Sequence, residues 1–115
     1  EVYDFVAEHF TRADLTRELV AKRFHIHSAH VSRLFQQELG IGFMEYLNSQ
    51  RFQLALELLR NPGLNINEIT EACGFRYSSY FIHAFRRKFN MTPGAFREQL
   101  HRDPTADPLQ IVTKV

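Results

Sequence analysis

The chain has little of what many functions require. A single cysteine, Cys73, excludes an intramolecular disulfide framework. It falls on the apolar repeat described below, so it reads as a small buried hydrophobe in a reducing cytosol. No apolar run approaches the roughly 18 residues of a membrane span. The opening Glu1-Val2-Tyr3-Asp4 lacks the charged and apolar order of a signal peptide, and its abruptness suggests a piece of something longer. With five glycines scattered along the chain there is no glycine-rich phosphate loop, and neither a paired-carboxylate motif nor a converging nucleophile, base and orienting group is present. His25, His27 and His30 have no cysteine or carboxylate beside them at ligand spacing. The expectation is a protein that is no enzyme, uses no cofactor or metal, and is cytoplasmic with no membrane association.

What the sequence does contain is one helical unit used twice. Leu15, Val20, Phe24 and Ile26 recur 49 positions later as Leu64, Ile69, Cys73 and Phe75. Ser28, Val31, Phe35 and Leu39 recur 50 positions later as Ser78, Phe81, Phe85 and Phe89. Each unit is too short to bury its apolar stripe alone, so the two must share a core or a connecting element. At 115 residues and 44% apolar content the chain can build a core without staples.

Caps and periodicity place the elements. Phe5, Val6 and His9-Phe10 suggest a first helix over 4–10. Thr16 caps a second helix, and Ser28 is expected to cap a third that runs to Leu39 and stops at Gly40. From Phe43 to Arg60 there is no Gly or Pro. A connector helix of five turns is expected there, with a stripe of Met44, Leu47, Gln50-Arg51, Leu54-Ala55 and Leu58-Leu59. Asn61-Pro62-Gly63 breaks it. Asn65 with Glu68 forms a capping box, Gly74-Phe75 makes the next turn, and the helix from Ser78 ends at Asn90. Thr92-Pro93 opens a last helix with Phe96 and Leu100 inward. The boundaries expected are lobe one about 4–40, connector about 43–60 and lobe two about 64–101, a domain over 1–102. Residues 103–115 read as a linker or flexible tail.

Charge is unevenly spread. Residues 1–75 hold seven basic and ten acidic side chains, whereas residues 76–102 hold six basic ones against Glu98 alone. The second helix of each unit has its inward face occupied by Val31, Leu34 and Phe35, or by Phe81 and Phe85. Its outward face carries Ala29, His30, Ser32, Arg33, Gln36 and Gln37 in the first unit, and Ser79, Tyr80, His83, Arg86 and Arg87 in the second. Hydroxyls, amides, imidazoles and guanidinium groups without a carboxylate suit base edges and phosphates in a major groove. The alternative is a helical protein-interaction module in which Tyr80 and the basic face dock an acidic partner such as a polymerase subunit.

The ordered set Gly74-Phe75, Ser79-Tyr80-Phe81, Phe85-Arg86, Phe89, Met91-Thr92-Pro93 and Phe96-Arg97 resembles the signature of the AraC/XylS family of bacterial transcription regulators. Upstream, Leu34-Phe35, Gly40, Tyr46-Leu47, Arg51, Ala55 and Leu58-Leu59 are similar to that family's first helix-turn-helix and linker helix, so the resemblance covers about residues 5–101. It implies an all-α fold of about seven helices, two helix-turn-helix lobes on a rigid connector, with a recognition helix from each lobe in successive major grooves of double-stranded DNA. Base contacts would come from Ala29, Ser32, Arg33, Ser78, Ser79, Tyr80 and His83. Phosphate contacts would come from Ser28, Gln36, Arg86, Arg87, Lys88 and Arg97. Asn90 stands where the family usually has glycine, and Thr70 where alanine is common. The resemblance also implies RNA polymerase as a further partner, a monomer for this fragment, and dimerisation of a full-length protein through a part outside it.

Overall fold

The computed structural model describes residues 1–108 and 111. All regular structure among them is helical: α1 Val2–His9, α2 Arg17–Arg23, α3 Ser28–Leu39, α4 Phe43–Leu58, α5 Ile66–Cys73, α6 Ser78–Phe89 and α7 Pro93–Arg102. These form two lobes threaded on α4, and the molecule measures 48 × 26 × 21 Å.

Local chemistry accounts for most helix ends. Thr16 Oγ1 accepts from the Leu19 amide at 3.0 Å, and Thr92 Oγ1 from Ala95 at 3.1 Å ahead of Pro93. The Asn65–Glu68 capping box is complete, with both reciprocal bonds formed at 2.8 and 2.9 Å. Gly40 and Asn90 both close their helices in the left-handed conformation, at φ 72° and 63°. Asparagine tolerates that region, so the usual glycine is dispensable at Asn90. One expected cap is corrected. Ser28 is the first helical residue of α3, and His27 before it fills the cap, its Nδ1 accepting from the Ala29 amide at 3.1 Å. That bond requires Nδ1 to be unprotonated.

Each lobe has its own core. The first gathers Val6, Leu15, Val20, Ala21, Val31 and Phe35 around Phe43 and Leu47 from the start of α4. The second gathers Ile69, Cys73, Phe75, Phe81, Phe85, Phe96 and Leu100 around Phe52, Ala55, Leu56 and Leu59 from its far end. The single stripe expected along α4 is therefore corrected: Met44 is 51% exposed, while Phe52 and Leu56 are buried. The two halves of α4 serve cores lying in different directions. The row Phe43, Leu47 gives way to the row Phe52, Leu56, about 180° round the helix. Phe52 is the hub of the second core, with its ring 5.5 to 6.4 Å from those of Phe75, Phe81, Phe85 and Phe89. Thr70, in place of the smaller alanine, is buried and settles its hydroxyl by donating to Ile66 O at 2.8 Å.

The segment after α7 departs from the expected loose linker. Arg60 donates to Pro104 O and Ala106 O at 3.2 and 3.3 Å, and Ala106 and Ile111 pack on the second core. Ala106, Pro108 and Ile111 are apolar, and the open side of lobe two offers them a surface to cover. Residues 109, 110 and 112–115 of the expected tail lie outside the described residues.

Candidate nucleic-acid interface

α3 and α6 are the second helices of the two units, and each buries one stripe: Val31 and Phe35 in the first, Phe81 and Phe85 in the second, all fully enclosed. That anchoring leaves the opposite faces outward. On α3, Ala29, Arg33 and Gln36 are exposed, and Ser28 and Ser32 are half-buried. On α6, Ser79, Tyr80, His83, Arg86, Arg87 and Lys88 are exposed and Ser78 is half-buried. The α6 sequence contains no carboxylate at all. Its Arg86, Arg87 and Lys88 lie in the last turn, where the negative end of the helix dipole favours cations.

The expected contact residues divide by what already holds them. The side chains of Arg33, Arg86, Arg87 and Lys88 make no hydrogen bond or ion pair among the described residues. Their charges are available to a polyanion. Ser32 Oγ accepts from Arg17 at 2.9 Å, which brings a guanidinium from α2 onto the α3 face. Tyr80 is 48% exposed, but its hydroxyl accepts from Asn48 Nδ2 of α4 at 3.0 Å and its ring lies 6.0 Å from that of Phe75. Arg97 is committed elsewhere. Its Nε donates to Leu59 O and its Nη2 to Asn61 O, both at 3.1 Å, so the arginine expected at a phosphate is fastened to the end of α4.

Tyr77 and Arg17 were not singled out by sequence reasoning, whereas Arg76 belongs to the basic segment already read as suited to a polyphosphate. Tyr77, at the cap position of α6, is 68% exposed, and Arg76 beside it lines a recess with Ser78, Ser79, Asn67 and Glu71. An aromatic and an arginine immediately before a recognition helix are a readable signal. Arg17 is not, because only the crossing of α2 over α3 brings it to Ser32, 15 residues away. Among the described residues no group of three His, Cys, Asp or Glu side chains is placed to share a metal ion, and no helix is long and apolar enough to cross a membrane.

A helix-turn-helix domain profile matches residues 20–99. The uncharacterised HTH-type transcriptional regulator YijO of Escherichia coli K12 is 40% identical over 107 residues, covering 93% of this chain and 38% of that protein. The regulatory protein PocR of Salmonella typhimurium is 37% identical over 90 residues, covering 78% of this chain and 30% of its own length. The chain thus spans well under half the length of these relatives. Among solved structures, the C-terminal domain of AraT, a response regulator from Geobacillus stearothermophilus, superposes with a TM-score of 0.81 at 35% identity, over 85% of this chain and 81% of that one. The DNA-binding domain of AdpA, in complex with a target DNA, also gives 0.81, at 26% identity over 91% of this chain and 95% of its own.

Proposed function

The chain belongs to the AraC-type helix-turn-helix family of transcription-regulator DNA-binding domains, and we propose that it reads a two-box duplex site with α3 and α6 in successive major grooves. The observation that carries this reading is the pair of anchored helices with outward, donor-rich faces, the second free of carboxylates and carrying three unengaged cations. Successive grooves on one face of a duplex lie about 34 to 36 Å apart, and the molecule's 48 Å length is sufficient to span them. The 16-residue α4 is shorter than that distance, at about 24 Å. Offset of the lobes to either side of α4, or bending of the DNA at about 1 to 6 kcal/mol, makes up the difference.

Within this reading Arg33 reads a base, since a guanidinium can bind guanine O6 and N7 together. Ala29, Ser32, Ser78, Ser79, Tyr80 and His83 complete the base-facing set. Arg86, Arg87 and Lys88, with Ser28 and Gln36, hold the phosphate backbone. Arg97 is assigned instead to holding lobe two together. The full-length protein is a cytoplasmic bacterial regulator that binds DNA without catalysing a reaction, touches RNA polymerase when bound, and dimerises through a part outside this monomeric chain.

The test is selection of bound duplexes from a library with about 25 randomised base pairs, at low and near-physiological salt. Enrichment of an asymmetric site with two short boxes one helical turn apart is expected. Retention without enrichment would mean a generic phosphate binder, and no retention at either salt would favour docking of an acidic protein.

A further inference from the structure

The two turns that lead into the recognition helices share a left-handed residue, His25 at φ 58° and Gly74 at φ 98°, at equivalent places in the repeat. They differ in what lies beyond them. His25 carries its side chain exposed. A methyl group on Gly74 would come within 2.7 Å of Phe10 O and 2.8 Å of the Thr11 carbonyl carbon and oxygen. The turn of lobe two therefore presses its bare backbone against the end of α1 in lobe one.

The same spot is fastened from α4. Arg51, only 5% exposed, donates from Nε to Phe10 O at 2.8 Å and from Nη2 to Arg12 O at 2.9 Å. Its guanidinium also lies 5.5 Å from the centre of the Phe75 ring, in the other lobe. Arg97 makes the same pair of bonds to Leu59 O and Asn61 O, the carbonyls 49 positions on, so each lobe has an arginine clamp. Only the first clamp also reaches across to the partner lobe. At the rim of this junction Asn48 of α4 holds the Tyr80 hydroxyl of α6.

We propose that this joint, made by Arg51, Gly74 and the Asn48–Tyr80 bond, fixes one recognition helix relative to the other and thereby sets the number of base pairs tolerated between the two boxes. The proposal rests on the two-groove reading above, and makes Arg51, Gly74 and Asn48 positioning residues. The physical reason is that neither core spans the lobes: each wraps its own half of α4. A helix alone resists bending, but the lobe-to-lobe angle is settled by what touches across the gap. One added base pair moves the second box by about 3.4 Å and rotates it by about 35°. A locked joint cannot follow that displacement, and a loosened one can.

The experiment has two arms. In the free protein, Gln37→Cys and Arg87→Cys carry spin labels on α3 and α6, while Cys73, buried, stays unlabelled. Pulsed dipolar spectroscopy then gives the distance distribution between the lobes, expected to be narrow. On DNA, the unlabelled protein is titrated with its selected boxes set one base pair closer, at the selected spacing, and one and two base pairs further apart. The starting protein should prefer one spacing by about tenfold or more, the scale of a lost base contact. Arg51→Met should broaden the distance distribution and shrink that preference to about threefold or less, with the box sequences unchanged. Arg51→Lys, which keeps the charge and one bond, should fall between.

Loss of affinity by one factor at every spacing, or an unchanged distance distribution in a folded variant, overturns the proposal. Should Arg51→Met fail to fold, Asn48→Ala at the rim carries both readouts with the same direction of change, and no change in either overturns it. A starting protein that binds two boxes equally at every spacing refutes this inference alone. One that selects no pair of boxes refutes the two-groove reading, and this inference with it.

Discussion

Arg87 and Arg97 look alike in sequence, both arginines in the basic second unit, yet they should fail in opposite ways when truncated. Arg87 is exposed and its side chain makes no bond among the described residues. Removing it should leave folding within about 0.5 kcal/mol of the starting protein. If it meets a phosphate, the slope of log affinity against log salt should become shallower by about 0.9, which shifts the affinity ratio between 50 and 200 mM salt about three- to fourfold. Arg97 is half-buried and donates twice to the carbonyls that end α4, one of them on the fully enclosed Leu59. Hydrogen bonds from a charged donor contribute about 1.5 to 3 kcal/mol where well shielded. Partial exposure of Arg97 puts the combined loss in Arg97→Ala at the low end, about 1.5 to 3 kcal/mol for both. For a chain of this size that lowers Tm by about 6 to 12 °C, with the salt slope intact below the new transition. Paired thermal melts and binding titrations at four salt concentrations decide the matter. An Arg97→Ala protein with unaltered Tm and a shallower slope would refute the clamp and restore the phosphate contact.

Arg33→Ala should leave the melt unchanged and cost about 1 to 3 kcal/mol of binding at a single base position, seen as relaxed preference there when the selection is repeated; a uniform loss across all sequences would remove it from base reading. The Cys73 thiol, pushed by burial up to about 12 with a smaller opposing pull from Arg51, should resist alkylation at pH 8.5 until denaturant is added. Since its folded value lies above the ordinary one, the unfolded thiol ionises first as pH rises. Stability present below about pH 9 should therefore be lost between about pH 9 and 12, and less steeply in Cys73→Ala, as pH-dependent melts would register. Asn65→Ala should lower stability by about 1 kcal/mol by leaving first-turn amides of α5 unpaired, measured by urea unfolding, with the selected boxes unaltered.

Much of the architecture was legible because it depends on interactions between near neighbours in the chain. Thr16, Asn65 and Thr92 cap helices from within three residues, Gly40 and Asn90 stop them, and the recurrence of Val31 and Phe35 as Phe81 and Phe85 exposes the repeat. The outward faces of α3 and α6 follow from the same periodicity, so the candidate interface could be located before any contact was known. Where local reasoning failed, the deciding partner was remote in every case but one cap. His27 displaced Ser28 as a cap through a ring nitrogen that simple capping preference ranks low. The stripe on α4 was misplaced because one helix was asked to serve two cores, which no single periodicity encodes. The segment after α7 looked polar and proline-broken, yet Arg60, in the turn that follows α4, supplies donors to its carbonyls.

The sequence by itself determined the number and type of elements, the two-fold use of a helical unit, and the placement of unbalanced positive charge on the second, since these arise from composition and spacing along the chain. Tertiary structure alone decided what each arginine is for. Arg51 and Arg97 became clamps because carbonyls about 40 residues away came within 3.1 Å, while Arg33 and Arg87 stayed free because nothing did. It also decided why Gly74 is glycine when His25 suffices at the matching turn: both take a left-handed backbone, but only one has another lobe 2.7 Å from where a side chain would begin.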